Sequence, residues 1–313
     1  MPLLKCRPSI KSYLWGGDRL KKEWGFETDA EIAAEAWMLS CHPDGPSVIT
    51  NGAFAGKTLP EALAAMGPAA LGTRAEGDGL PILIKLIDAR KPLSIQVHPD
   101  DAYAMEHEHQ RGKTEMWYIL DAEEGAFLYY GFSQDVTEEE FRERIRSDSL
   151  TEILKAVPVH KGDVFFIPPG TLHAIGAGIL IAEIQQSSNV TYRVFDYGRR
   201  DAKGQTRQLH IEQAVAVTKR TECTPVPAAP HLASCPFFTV DHLALDGKNL
   251  SQAGGTVTEE SFLSILVIGG SGSITLGSDG ERVPCRKGDS LFLPASSGSW
   301  TAEGELEILL THI

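Results

Sequence analysis

Gly162-Asp163-Val164-Phe165-Phe166-Ile167-Pro168-Pro169-Gly170-Thr171-Leu172-His173 runs from a short apolar strand into a Pro-Pro-Gly turn that carries one histidine just past the strand end. A turn of this kind belongs at the mouth of a β-barrel. Upstream, Ser94-Ile95-Gln96-Val97-His98-Pro99-Asp100-Asp101 sets Gln96 and His98 two apart in an alternating apolar run, so a strand there points both side chains to one face. Between these segments Glu115 opens the strand-like run Glu115-Met116-Trp117-Tyr118-Ile119-Leu120. Gln96, His98, Glu115 and His173 together read as one metal site.

The same β character extends outward. Short apolar runs at 36–40, 81–87, 93–97, 116–120, 127–130, 164–167 and 180–184 are separated by turn residues, which predicts an antiparallel barrel or sandwich rather than alternating βα units. Helical patterns are fewer. Leu59 to Met66 is one, with Thr58 as N-cap. Thr137 through Leu154 is another, with Thr137 and Glu140 matching a capping box and Phe141, Ile145, Leu150 and Leu154 forming an apolar stripe. A short third helix is predicted over Asp100 to His107. The proline-rich stretch Thr221 to Pro236 reads as a linker. The expected organisation is therefore a metal-containing domain over 1–230, with a helical insertion near 135–156, and a second β domain over 231–313. Gly288-Asp289-Ser290-Leu291-Phe292-Leu293-Pro294 repeats the spacing of Gly162 to Pro168, but Ser299 stands where the first copy has His173. The second copy reads as a barrel without the metal ligand.

The chain has 313 residues, 42% hydrophobic and 23% charged, enough for one large or two modest cores. Its net charge of −13 argues against nucleic acid, which requires clustered Lys and Arg. The first residues lack a secretory apolar region, and no stretch reaches the roughly 18 apolar residues of a membrane span, so a cytoplasmic location without membrane contact is expected. The five cysteines never show C-x-x-C spacing, which favours packing over disulfides or a thiolate metal site. His107 and His109, two apart on a helix, do not share a face and read as solvated or lid residues.

The Gly-Asp…Pro-x-Gly-x-x-His pattern with an upstream Gln-x-His and an intervening Glu resembles the cupin double-stranded barrel. More narrowly, Trp15-Gly16-Gly17, Glu35-Ala36-Trp37, Gln96 to Asp101, Gly112-Lys113-Thr114-Glu115 and Glu183…Tyr192-Arg193 resemble the type I mannose-6-phosphate isomerase family, in its short bacterial form. The resemblance implies a mainly β protein of two jelly-roll barrels, of which only the first is catalytic. It implies one Zn²⁺ per chain on Gln96, His98, Glu115 and His173, a donor set that suits zinc and leaves a position open. The implied reaction interconverts mannose 6-phosphate and fructose 6-phosphate by moving a proton between adjacent carbons through an enediol.

Carried over residue by residue, the resemblance makes Glu183 the first choice of general base, with burial expected to raise its pKa. Arg193 would steady the enediolate and Lys113 would share the cavity, while Ser94, Lys85 and Arg199 would meet the phosphate. The implied partner is a small sugar phosphate, and the implied assembly a monomer or weak homo-oligomer. Two positions depart from the family pattern. Gly112 replaces a histidine before Lys-x-Glu, and Asn189, which does not titrate, replaces an aspartate before the arginine. These departures keep open a second reading, a sugar-binding or regulatory metal cupin without catalysis. A metal-dependent oxygenase is a third reading, disfavoured by the sugar-phosphate counterparts around Lys113 and Arg193.

Overall fold

The protein is described from a computed structural model over residues 1–77, 79–200, 203–223, 230–277 and 280–313. It is mainly β, as the spacing of apolar runs predicts. The first unit stacks two sheets. One has six strands, in the order Val164–Ile167, Glu115–Ala122, Ile179–Gln186, Ile82–Ala89, Glu35–Leu39 and Ser9–Lys11. The other has five: Tyr192–Phe195, Ile95–Val97, His173–Ala174, Phe127–Phe132 and Leu154–Pro158.

Alternation along the six-stranded sheet sorts its residues into two faces. Trp117, Ile119, Phe165, Ile167, Ile181 and Ile87 point inward and pack with Leu128 and Tyr130 of the facing sheet. Met116, Tyr118, Leu86, Ile84 and Ala182 point the other way and pack against Phe238, Phe262, Phe292 and Leu309 of the C-terminal unit. The Ile82–Ala89 and Ile179–Gln186 strands are consequently buried on both faces, which is why they read as continuous apolar runs.

The second unit is a nine-stranded antiparallel sheet around its own core of Ile265, Val267, Leu291, Leu293, Trp300 and Ile308. Two long strands, Leu263–Leu276 and Gly298–His312, pair along most of their length and turn at an irregularity between Val267 and Gly269. Gly270, at φ +71°, takes a left-handed conformation at this bend, where a Cβ would meet the Glu305 carbonyl oxygen at 2.1 Å. The N-terminal strand Leu4–Arg7 is also a member of this sheet, paired with Ser290–Leu293. The chain therefore begins in the second unit and crosses into the first through Pro8. Residues 224–229 of the proline-rich stretch expected to link the two lie outside the described residues.

The helices follow their caps. Asp100 accepts the Tyr103 N–H at 2.9 Å and starts the helix Asp101–His107. Thr137 accepts the Glu140 N–H at 3.1 Å and starts Glu138–Arg146. This second helix is shorter than predicted. Asp148 adopts φ +59° after Arg146, and the chain resumes as a 3₁₀ turn over Leu150–Ile153, with Phe141, Ile145, Leu150 and Ile153 still buried together. His107 stacks on Tyr103 with ring centroids 4.0 Å apart, which keeps it with its own helix.

The internal repeat is legible in the backbone. Gly162 and Gly288 have φ of +91° and +92°, and they donate to Ile119 and Val267 at 2.8 and 2.9 Å. Ile119 and Val267 in turn donate to the Asp163 and Asp289 carbonyls, both at 2.9 Å. With these pairs superposed, register places Glu115 opposite Ile167 and Leu263 opposite Leu293. Glu183, opposite Trp117, then corresponds to Leu310, opposite Ile265. The second unit thus has leucine at the positions of both carboxylates, and Ser299 is exposed.

Candidate active site

Strand register builds the site from two rows that face each other across the first unit. On the five-stranded sheet, Arg193 lies opposite Gln96, and Gln96 opposite His173. Ser94 donates to Gln96 Oε1 at 3.5 Å. On the six-stranded sheet, Trp37, Lys85, Glu183 and Trp117 stand side by side on four neighbouring strands. Glu115 lies two residues before Trp117 on the same face.

The two histidines are oriented by backbone carbonyls. His98 Nδ1 donates to the Val190 carbonyl at 2.8 Å and His173 Nδ1 to the Thr171 carbonyl at 2.8 Å. A carbonyl only accepts, so each Nδ1 carries the proton and each Nε2 presents a lone pair. Burial keeps both rings neutral, pushing the His98 pKa well below its usual value and that of His173 down to about 4.

Glu115, fully buried, lies between these lone pairs. Its Oε1 is 3.3 Å from His173 Nε2 and its Oε2 is 3.6 Å from His98 Nε2. His173 Nε2 and both Glu115 oxygens receive no well-directed hydrogen bond, although Lys113 Nζ makes an ion pair with Oε2 at 2.6 Å. Lys113 Nζ, also 3.2 Å from His98 Nε2, bridges the His98 side, but His173 Nε2 and Glu115 Oε1 face each other with no donor between them, and two acceptors in a dry interior repel unless a cation joins them. One ligand atom from each of His98, Glu115 and His173 lies within 4.8 Å of the other two, and this donor set suits a divalent metal ion. The carbonyls of Val190 and Thr171 complete it, since metal-bound histidines characteristically donate their other N–H.

From Glu115 a line of buried charges of alternating sign crosses the sheet. Lys113 Nζ is 3.7 Å from Glu183 Oε1, Lys85 Nζ is 3.2 Å from the same oxygen, and Lys85 lies 4.0 Å from Glu35. Trp117 Nε1 donates to Glu183 Oε2 at 3.0 Å, and Trp37 Nε1 donates to Glu35 at 2.7 Å. The expectation that burial raises the Glu183 pKa is corrected here. Burial does push it up, but the ammonium groups of Lys113 and Lys85 and the bonds from Lys85 and Trp117 outweigh this and hold it well below the usual range. Glu115 moves the other way, raised by burial and by the Glu183 charge.

The remaining candidates make separate contacts. Arg193 is partly buried, its Nε without a partner among the described residues. Arg199 is committed to the Asp196 carboxylate and to the Pro92 carbonyl at 2.6 Å, and Arg207 binds the same carboxylate. Asn189 donates to Asp44 at 3.2 Å on the wall of a neighbouring groove of about 1200 Å³, which also holds His42, Tyr192 and His210. That groove adjoins the cluster through Val190, but none of the four candidate ligands lines it.

Gly112 has a steric explanation. Its N–H donates to Asp101 at 2.7 Å, and a Cβ there would come within 2.4 and 2.5 Å of the Asp100 and Asp101 backbone. A histidine cannot be accommodated. Gly112→Ala is expected to lower stability by about 3 kcal/mol, near the upper end of typical overpacking costs, measured by denaturant unfolding. An unchanged unfolding midpoint would refute the contact.

Sequence reasoning did not single out Trp117 and Glu35 as site residues. The signal was spacing of two, Trp117 from Glu115 and Glu35 from Trp37, which puts each pair on one strand face.

Comparison with known proteins agrees with this architecture. Residues 3–129 match the description "Phosphomannose isomerase type I, catalytic domain", and residues 230–313 match "Mannose-6-phosphate isomerase, cupin domain". The mannose-6-phosphate isomerase of Streptococcus mutans is 42% identical over 308 residues, covering 96% of this chain and 94% of its own. Mannose-6-phosphate isomerase ManA of Bacillus subtilis is 37% identical, with 98% of each chain covered. A crystal structure of the mannose 6-phosphate isomerase from Bacillus subtilis superposes over 100% of both chains with a TM-score of 0.90 at 34% identity. With two family domains matched in order and near-complete coverage of these relatives, the chain belongs to the type I phosphomannose isomerase family.

Proposed function

We propose that this protein interconverts mannose 6-phosphate and fructose 6-phosphate, with Zn²⁺ held by Gln96, His98, Glu115 and His173. The observation that supports this most is the Glu115 carboxylate set between two Nε2 lone pairs, beside the ionised Glu183. A zinc ion bound there supplies a Lewis acid for the sugar's carbonyl and hydroxyl oxygens.

The protein's own groups handle the proton. Isomerisation removes it from C2 of the aldose and returns one to C1, and Glu183 is the group we assign to carry it. The Trp117 hydrogen bond aims the carboxylate, and Lys113 and Lys85 keep it unprotonated. A base held this low gains proton affinity as the substrate displaces or neutralises a neighbouring ammonium. Arg193, opposite Gln96, donates to the enediolate or to a substrate oxygen. For the phosphate, Ser94 supplies a hydroxyl, while Lys85 and Arg199 reach it only by leaving Glu183 and Asp196. The enzyme takes a small soluble substrate in the cytoplasm, as a monomer or weak homo-oligomer. Among the described residues no helix is long and apolar enough to cross a membrane.

The steric origin of Gly112 weakens the non-catalytic alternative, because that position reflects packing rather than loss of a catalytic group. An assay coupled to fructose 6-phosphate formation tests the proposal. Turnover should vanish on chelation and return with zinc. Turnover by metal-free protein, or none by zinc-loaded protein, would sink it.

A further inference from the structure

A second groove, of about 510 Å³, lies between the N-terminal strand and the turn at 286–289, and none of the candidate site residues lines it. It falls within the roughly 300–1,000 Å³ of small-molecule sites. Its rim bears Lys5, Arg7, Arg286 and Lys287 against Glu27 and Asp289, four positive charges against two negative, in a chain of net charge −13. Lys5 is paired with Asp289 at 2.7 Å. Arg7 and Arg286 are exposed, and neither guanidinium has a hydrogen-bond or ion-pair partner among the described residues. Lys287 Nζ is held 4.5 Å over the Trp24 ring.

Beneath this rim the wall is apolar. Pro8, Ile10 and Phe26 line it, each partly exposed, and Trp24 braces Phe26 at 6.5 Å between ring centroids. Two arginine forks suit phosphate oxygens, and a phenylalanine face beside them suits a flat ring. Inorganic phosphate would satisfy the cations but leave the apolar wall wet. We propose that this groove is an anion site, separate from the isomerase centre, for a small phosphorylated molecule with a flat ring, such as a nucleoside diphosphate.

Calorimetric titration of the 313-residue protein with ADP, in low salt and with saturating mannose 6-phosphate, tests this. ADP should bind, and both inorganic phosphate and adenosine should bind at least about tenfold more weakly, a difference of about 1.4 kcal/mol. The double variant Arg7→Glu, Arg286→Glu should weaken ADP by at least tenfold while leaving isomerase turnover and the melting temperature unchanged. If the double variant melts early, Lys287→Met, which removes the third cation alone, should still weaken ADP. No binding to the wild-type protein, equal binding to the variants, displacement by mannose 6-phosphate, or phosphate binding as tightly as ADP would each overturn the proposal.

Discussion

Glu115→Ala will carry less than about a tenth of an equivalent of bound metal and will lose turnover by about a thousandfold or more. That loss corresponds to about 4 kcal/mol of transition-state stabilisation, the several kcal/mol expected of a Lewis acid. The size of the effect follows from the donor set. Glu115 is the only anion in the proposed set, and its two oxygens lie 3.3 and 3.6 Å from the lone pairs of His173 and His98. Without it, two neutral imidazoles and a neutral amide remain beside the Lys113 ammonium, 3.2 Å from His98 Nε2, which repels any cation. Elemental analysis of the purified variant, with metal per chain set against the wild type, checks this. Wild-type metal content in Glu115→Ala would remove Glu115 from the ligand set.

Glu183→Gln separates metal binding from proton transfer. It should retain its metal and lose about 10²- to 10⁴-fold in kcat, the range expected when a general base is removed. The charge environment adds a test by pH. A carboxyl held below its usual range is ionised above that depressed value, and activity that needs the ionised form falls only as pH drops through it. Lys85→Met removes the ammonium 3.2 Å away, raises the Glu183 pKa, and should move the acid limb of kcat/KM to higher pH. Rate profiles of wild type and Lys85→Met read this directly. Undiminished kcat in Glu183→Gln would transfer the proton to another group.

Much of this was legible in the sequence, for local reasons. Gln96 and His98 are two apart, Glu115 begins an apolar strand, and His173 follows a Pro-Pro-Gly turn, so each local conformation follows from its own residues. The Gly162 and Gly288 repeat was visible because glycine at a left-handed turn has no substitute without strain. What was not legible depends on long-range register. The Glu183 pKa was misjudged because burial can be read from an apolar run, whereas two lysines arriving from other strands cannot. Gly112 looked like a lost function because its neighbours, Asp100 and Asp101, become contacts only once the helix folds back. The correspondence of Glu115 with Leu263 needed the hydrogen-bond pattern, since those strands share no sequence signature.

The N-terminal strand bears on the order in which the molecule can be built. Leu4–Arg7 is made long before its partner Ser290–Leu293, which lies far along the chain. Until then Leu4 and Cys6, both buried in the finished protein, have no complete sheet to enter, and the outer face of the six-stranded sheet lacks Phe292 and Leu309. Pairing across nearly the whole chain is entropically slow and leaves apolar surface open meanwhile. Ribosomes stalled before residue 290 should therefore hold a nascent chain that is protease-sensitive at its start.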